Sequence, residues 1–350
     1  MINDIEDFVK KVKKEIGGTL VEFKKGDTLR LVLKNGITMD FSSPKGSIKE
    51  DLSRRDFTIN AIAWSPETGI IDPYGGMIDI EKRIVRSISK NNLIDDPLRM
   101  LRAYRLASEL DGEIDPKTRK FIKTFYYNIK KVSSERITFE IFNLLNSKNP
   151  GKYLKMALDD KILTHIFPLK INKLRNNIKA VSNFIKNLEE YPVKLKAILK
   201  DNISQNLTYK GLLILELLLT NNGSFISDIF PLKMSKFIIK RLRYLNKGIK
   251  EYKKGDLFNF FLKSKESAID MILLENKLNL IEEYNRFKKI WKKGLINSIE
   301  IKKIGNIKDG ETLGKIIIEL KRAEFERKIK TKDGVKKYLL KILHNISYQT

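Results

Sequence analysis

The sequence predicts an α+β protein in which a small mixed head precedes a long helical remainder. Residues 1 to about 65 combine one amphipathic helix with three short β-rich runs, whereas nearly everything after about residue 88 has helical spacing. A joint rich in glycine and proline separates the two parts. Because 350 residues exceed one typical hydrophobic core, we expect two or more packed units.

The head begins with a helix and continues as an antiparallel meander. Apolar residues recur at helical spacing from Ile5 to Ile16, and the Gly17-Gly18 pair ends this helix. Three strands separated by Lys-Gly-Asp and Asn-Gly turns are predicted, at Thr19 to Phe23, Thr28 to Leu33 and Ile37 to Phe41. After Ser53 we expect a return to helix through Asn60-Ala61-Ile62-Ala63.

The charge of the chain points to a polyanionic partner. Lys and Arg number 69 and Asp and Glu number 43, which leaves a formal net charge of +26. Nucleic acid is the natural partner for a chain of such high positive charge, because each phosphate that a Lys or Arg neutralises releases counterions and so favours binding. The alternative is a biased genome composition in which the lysines serve only solubility.

Composition also excludes several classes of site. The chain has no cysteine and only two histidines, His165 and His344, so a bound metal must rest on oxygen ligands. The longest apolar run, Leu212 to Leu219, is interrupted by Glu216 and is far shorter than the roughly 20 residues of a membrane-spanning helix. We therefore expect a cytoplasmic protein.

The first candidate site is the stretch from Asp51 to Ala63, DLSRRDFTINAIA. Its adjacent guanidiniums, Arg54 and Arg55, offer several N–H donors to a triphosphate, while Asp56 and Asn60 can bond a ribose. The alternative for Arg-Arg-Asp alone is a solvated turn with an internal ion pair.

The second candidate site is the stretch from Asp95 to Arg105, DDPLRMLRAYR. Cytosine and adenine each present an amino donor beside an acceptor ring nitrogen, so a carboxylate at Asp96 and a guanidinium at Arg99 match their edges and mismatch uracil and guanine. Arg102 and Arg105 follow at three-residue steps and fan from the base towards the phosphates. Alternatively, Asp96 is a plain N-cap and Pro97 the first helical residue.

Together these stretches resemble the class II tRNA nucleotidyltransferase and poly(A) polymerase family. They are similar to its RRDFTxNA and EDxxRxxRAxRF motifs, except that Asp95 replaces Glu and Leu106 replaces Phe. The segment from Asp72 to Gly76 resembles the family's head-to-neck element, and Glu135-Arg136-Ile137 with Glu140 resembles its ERIxxE helix.

The resemblance implies a partial polymerase-β-like nucleotidyltransferase head at 1–65, a joint at 66–76, an all-helical neck at 77–147, and a helical body and tail at 148–350. It further implies transfer of CMP or AMP from CTP or ATP to a tRNA 3′ hydroxyl, with Mg²⁺ as cofactor. It leaves open whether CCA, CC, A alone or poly(A) is added.

One departure concerns the beginning of the chain. Family members carry a GGxVRD loop and a metal-binding DxD pair ahead of the helix that corresponds to Ile5 to Ile16, and this sequence begins at Met1. We therefore expect the pair to be absent, the chain alone to be inactive, and the apolar strand residues Leu20, Leu29, Leu31 and Ile37 to be uncovered. Asp40 is a candidate third palm carboxylate.

Three explanations of this beginning are open. The start is set too late or the chain is truncated, a separate N-terminal fragment supplies the motifs, or the protein is a catalytically inactive RNA-binding descendant of the family.

Overall fold

The computed structural model describes residues 5–22, 28–42, 46–204, 206–221, 224–225, 232–307 and 310–347. The chain divides into two compact units. Unit 1 comprises residues 1–99 and 112–121, and unit 2 comprises residues 100–111 and 122–350. The boundaries expected from sequence, after residues 65, 76 and 147, do not coincide with this division and stay a prediction.

Unit 1 begins with the expected helix and meander. Helix α1 spans Ile5–Ile16, and strands β1 (Thr19–Glu22), β2 (Thr28–Val32) and β3 (Thr38–Ser42) form a sheet in the order β1-β2-β3. Both pairings are antiparallel, with Leu31 opposite Leu20 on one side and Met39 on the other. The meander is thus confirmed; Phe23, the last residue of the first predicted strand, lies outside the described residues.

The middle strand of this sheet is covered on one face, contrary to expectation. Leu29 and Leu31 are 3% and 0% exposed. Helix α1 packs on β2 and β3 and contributes the buried Val9, so the apolar stripe of the helix covers alternate residues of the middle strand. The prediction that strand residues are uncovered was wrong for Leu29 and Leu31, whereas Leu20 is half-buried and Ile37 is exposed.

The segment after the meander is less helical than predicted. Helix α2 (Ile48–Ser53) starts at a capping box between Ser47 and Glu50. Only a single 3-10 turn follows, Thr58–Asn60, before the hairpin of β4 (Ala63–Ser65) and β5 (Gly69–Ile71). A longer helix is prevented because this backbone bonds to a distant segment: Thr58 N–H donates to Arg86 O, and Ile88 N–H donates to Asp56 O.

The rest of unit 1 consists of short helices and strands that follow the hairpin of β4 and β5. It contains α3 (Gly76–Glu81), β6 (Ile84–Val85), α4 (Lys90–Asp95), β7 (Glu113–Ile114) and the first part of α6 (Pro116–Phe125). Strands β6 and β7 pair in parallel. Gly112 is required beside them, because a Cβ there would lie 2.0 Å from the carbonyl oxygen of Arg83. Between these elements runs α5 (Leu98–Leu110), which begins in unit 1 and continues into unit 2.

Unit 2 is built almost wholly of helices, as predicted. After the end of α6 these are α7 (Ser134–Asn146), α8 (Pro150–Asp159), α9 (Ile171–Asn187), α10 (Val193–Ile198), α11 (Tyr209–Leu218), α12 (Lys236–Lys253), α13 (Leu257–Ser264), α14 (Ala268–Leu274), α15 (Leu280–Lys292), α16 (Ser298–Gly305), α17 (Glu311–Phe325) and α18 (Lys332–Ser347). Two short strand pairs interrupt them: β8 (Asn202–Ser204) with β9 (Leu207–Thr208), and β10 (Thr220–Asn221) with β11 (Ser224–Phe225). The last three helices share a core of their own around Ile316 and Leu339.

The apolar run noted in the sequence forms α11, most of whose residues are buried within unit 2. Within the described ranges, no helix combines the length and the apolar character that crossing a membrane requires.

Candidate nucleotide-binding site

The two adjacent arginines of the first motif follow the C-terminal end of α2. Arg54 and Arg55 are both exposed. Arg55 Nη2 lies 2.8 Å from Asp51 Oδ2, one turn earlier, so the internal ion pair considered from the sequence does form. A solvent-exposed pair of this kind is weak, and a triphosphate carries far more charge than one aspartate. The arrangement is therefore compatible with an anion site.

Asp56 braces the turn that follows the arginines. It is only 7% exposed, and its Oδ1 accepts hydrogen bonds of 2.9 Å from Phe57 N–H and from Asn60 Nδ2. Asn60 itself is exposed. The structure thus brings together the two residues predicted to bond the ribose, with Asp56 fixing the orientation of Asn60.

A buried network behind the motif was missed from the sequence. Thr58 Oγ1 donates to Asp79 Oδ2 at 2.7 Å, and Arg86 bonds both Asp79 and Asp115. Asp79 and Asp115 are 5% and 8% exposed, so their charges are compensated by Arg86 in a largely dry setting. The partners lie 7 to 29 residues apart, and no local spacing rule links them.

The second motif opens α5. Asp96 Oδ1 accepts from Leu98 N–H at 3.3 Å, and the Arg99 N–H donates to Asp96 O. The helix-capping explanation is therefore correct for that oxygen. The Arg99 side chain points back to α4, where Nη1 donates to Asn92 O at 3.1 Å. That Asp96 and Arg99 read a base edge stays a prediction.

Asn92 connects the two motifs of unit 1 and was also missed. Its Nδ2 donates to Ser53 O at 2.7 Å and to Arg55 O at 2.6 Å, while its own carbonyl accepts from Arg99. The only local feature of this segment in the sequence is Ser89, a residue type that often caps helices. Contacts 37 and 39 residues away have no local signature.

The later arginines of α5 belong to unit 2 and meet a carboxylate. Arg102 Nη1 lies 3.1 Å from Glu140 Oε1, and Arg105 Nε lies 2.6 Å from Glu140 Oε2. Glu140 is 2% exposed, and Arg105 also bonds Glu109. Glu140 therefore fixes the orientation of both arginines; the prediction that they reach the phosphates remains untested.

Asp40 is engaged by an arginine. Arg30, its cross-strand neighbour, makes a bidentate pair with it, with Nε–Oδ1 at 2.6 Å and Nη2–Oδ2 at 2.7 Å. In the part of the chain that the structure describes, no three acidic or histidine side chains cluster in a way that could hold a metal ion. The residues described therefore do not fit a Mg²⁺ site.

Two segments of the chain match known protein families. The family model "Poly A polymerase head domain" matches residues 10–86, and "Probable RNA and SrmB- binding site of polymerase A" matches residues 113–183. The CC-adding tRNA nucleotidyltransferase of Synechocystis sp. is 40% identical over 152 residues, which cover 43% of this chain and 36% of that protein. Over these segments the chain is similar to the class II tRNA nucleotidyltransferase and poly(A) polymerase family.

A second relative matches over a stretch of similar length. The CCA-adding enzyme of Pediococcus pentosaceus is 37% identical over 151 residues, again 43% of this chain and 36% of that protein. The matched stretch thus spans about a third of the length of these relatives.

Solved structures confirm the fold over nearly the whole chain. The Thermotoga maritima CCA-adding enzyme complexed with tRNA aligns over 97% of this chain and 85% of that one, with a TM-score of 0.73 and 22% identity. A CCA-adding enzyme in complex with ATP aligns over 98% and 84%, with a TM-score of 0.74.

Proposed function

We propose that this protein is a tRNA 3′-end nucleotidyltransferase and that unit 1 selects CTP and ATP. The observation that carries the proposal is that the Arg54-Arg55 turn and Arg99 are joined within unit 1 through Asn92. A site for phosphates and a site for a base edge are thereby held in one frame. The relatives named as CC-adding and CCA-adding enzymes support the same reading.

In the proposed reaction, a tRNA 3′ hydroxyl oxygen attacks the α-phosphorus of CTP or ATP. The bond from the α-phosphorus to the bridging oxygen breaks, pyrophosphate leaves, and the hydroxyl proton is lost to solvent. Arg54 and Arg55 bind the triphosphate and compensate its charge, because both guanidiniums are exposed at the end of α2. Asn60, oriented by Asp56, bonds the ribose.

Base choice follows from the pattern of donors and acceptors. Asp96 accepts from the exocyclic amino group of cytosine or adenine, and Arg99 donates to the adjacent ring nitrogen. Uracil and guanine present a carbonyl and an N–H at these positions, so both contacts would be mismatched. A base that leaves polar groups of the site unpaired is strongly rejected.

The cofactor is Mg²⁺ in this proposal, and its chemistry is the neutralisation of charge on the phosphate oxygens. The residues described do not themselves form its site. We propose a cytoplasmic location. Neither a separate N-terminal fragment nor the catalytically inactive RNA-binding alternative finds support among the relatives and structural neighbours.

The RNA partner is assigned to unit 2. The family model for a probable RNA-binding site begins in unit 1 and lies mostly in unit 2. On α12, the half-buried ring of Tyr244 is approached by Lys240, Lys247 and Lys265, whose Nζ atoms lie 5.7, 5.8 and 4.7 Å from the ring centroid. Several cations beside an aromatic ring suit an RNA strand, which offers phosphates and stacking bases.

The test is equilibrium binding of the four nucleoside triphosphates to the full chain. CTP and ATP are expected to bind at least tenfold more tightly than UTP and GTP. Tripolyphosphate, which has no base, serves as the control for binding to the arginines alone. Equal affinities for all four nucleotides, or no binding, would contradict the proposal.

A further inference from the structure

Both N–H donors of the Asn92 side-chain amide form hydrogen bonds to one turn of the chain. Nδ2 bonds the carbonyl oxygens of Ser53 and Arg55, which flank Arg54, at 2.7 and 2.6 Å. Its Oδ1 accepts from Ser89 Oγ at 2.9 Å, and Ser89 caps the helix that carries Asn92. An amide has two N–H donors, and both are directed at the backbone that presents the arginines.

The main chain of the same residue holds the other arginine. Arg99 Nη1 donates to Asn92 O at 3.1 Å, and the side chain of Arg99 is half-buried. A guanidinium is a planar, rigid fork, so one bond to a fixed carbonyl restricts where its remaining N–H groups point. Asn92 therefore contacts both the turn that carries Arg54 and Arg55 and the side chain of Arg99.

We propose that Asn92 is a positioning residue that sets the distance between the triphosphate-binding turn and Arg99, so that nucleotides with a cytosine or adenine edge fit both ends at once. This inference rests on the function proposed above. Asn92 itself contacts no nucleotide. It acts by fixing two groups that do, as the supporting residues of a preorganised site act.

The chemistry of the side chain explains why an asparagine is suited to this position. The role requires two donors to two separate carbonyls and one acceptor for Ser89. Aspartate has the same shape but no donor, so it would face two carbonyl oxygens with a negative charge. Alanine removes all three bonds.

Asp is therefore the sharper variant. Asn92→Asp can still accept from Ser89 Oγ and preserves the start of α4, yet it loses both bonds to the turn. Asn91→Ala is the matched control, because Asn91 is the exposed preceding residue of the same helix.

The experiment measures dissociation constants of CTP and UTP for the full 350-residue chain, in the wild type, Asn92→Ala, Asn92→Asp and Asn91→Ala, together with their melting temperatures. Both Asn92 variants are expected to lose about tenfold in CTP affinity with little change for UTP. Asn91→Ala should retain the wild-type ratio. A purely structural role for Asn92 would lower the melting temperature and leave the ratio of the two constants unchanged.

The outcomes separate the inference from the proposed function. A wild-type chain that prefers CTP, with an unchanged preference in Asn92→Asp, overturns the positioning role and leaves the proposed function standing. A wild-type chain without any preference overturns both. If Asn92→Ala fails to fold, Asn92→Asp decides the question, because aspartate keeps the side-chain acceptor for Ser89 Oγ that alanine lacks.

Discussion

Arg30 and Asp40 face each other across β2 and β3 and form a two-bond ion pair. The hydrogen bonds from Arg30 hold the pKa of Asp40 below its ordinary range. The one carboxylate that the sequence singled out as a third palm acid thus has an arginine across both oxygens, and a metal ion would have to displace it.

This relationship predicts a measurable titration. In the wild type, the Asp40 carboxyl followed by NMR should titrate below the roughly 3.9 of a free aspartate. Arg30→Ala should raise the pKa towards that value, because both hydrogen bonds are lost. Arg30→Lys, which keeps the charge without the fork, should give an intermediate value. An identical pKa in all three proteins would show that the pair does not form in solution.

The buried Glu140 is predicted to be a stability determinant of unit 2. Glu140→Ala would leave Arg102 and Arg105 without their shared carboxylate, and breaking a buried pair in this way costs about 3 kcal/mol. Urea unfolding measures the loss. Glu135→Ala, on the exposed side of the same helix, is the control and should leave the midpoint nearly unchanged. Equal effects of the two variants would contradict the assignment.

The buried carboxyl group of Glu216 should make the stability of the protein depend on pH. Burial and the adjacent Asp270 raise the pKa of Glu216 well above its ordinary value, while Arg241 and Tyr209 bond Asp270 instead. The pKa of Glu216 is higher in the folded than in the unfolded protein. The contribution of Glu216 to the free energy of unfolding is therefore complete below the unfolded pKa of about 4.3, and it is lost as pH rises through the folded pKa.

Glu216→Gln should therefore remove part of the decline in melting temperature as pH rises above about 4.3, the ordinary pKa of an unfolded glutamate. The exposed Glu189→Gln is the control and should show the wild-type profile. A decline in Glu216→Gln as steep as that of the wild type would mean that Glu216 does not titrate with folding.

The local patterns of the sequence predicted the meander, the helical remainder and the two motifs. Hydrophobic periodicity and turn residues are local properties, and they correctly gave α1 and the three strands of the head. The helix expected through Asn60 did not form, since Thr58 and Asp56 bond to residues 86 and 88. Such long-range pairing overrides local propensity and leaves no mark in the spacing.

The candidate site was predicted in its parts and not in its connections. The motifs named Arg54, Arg55, Asp96 and Arg99, but Asn92, which links them, is ordinary in sequence. The ion pair between Arg30 and Asp40 could likewise not be predicted from the sequence. Arg30 and Asp40 are ten residues apart, and only the register of β2 and β3 shows that they meet.

The basic charge of the chain predicts salt-dependent RNA binding. With a net charge of +26, affinity for tRNA should fall steeply between 50 and 200 mM salt, roughly in proportion to the number of phosphates contacted. Lys240→Gln combined with Lys247→Gln should reduce the slope of log affinity against log salt by about 2. A filter-binding titration is the measurement. No binding at 50 mM salt, or an affinity independent of salt, would contradict the assignment of tRNA as partner.

We propose that Asp96 and Arg99 select cytosine and adenine, and the variant Asp96→Asn tests this selection most directly. Asparagine is as good a helix cap as aspartate, so α5 should keep its start while the charged acceptor at the base edge is lost. Asp95→Ala, at the exposed neighbouring acid, is the control. The measurement is the affinity of each protein for CTP, ATP, UTP and GTP. We expect Asp96→Asn to lose the preference for CTP and ATP and Asp95→Ala to keep it; an undiminished preference in Asp96→Asn would show that Asp96 only caps the helix.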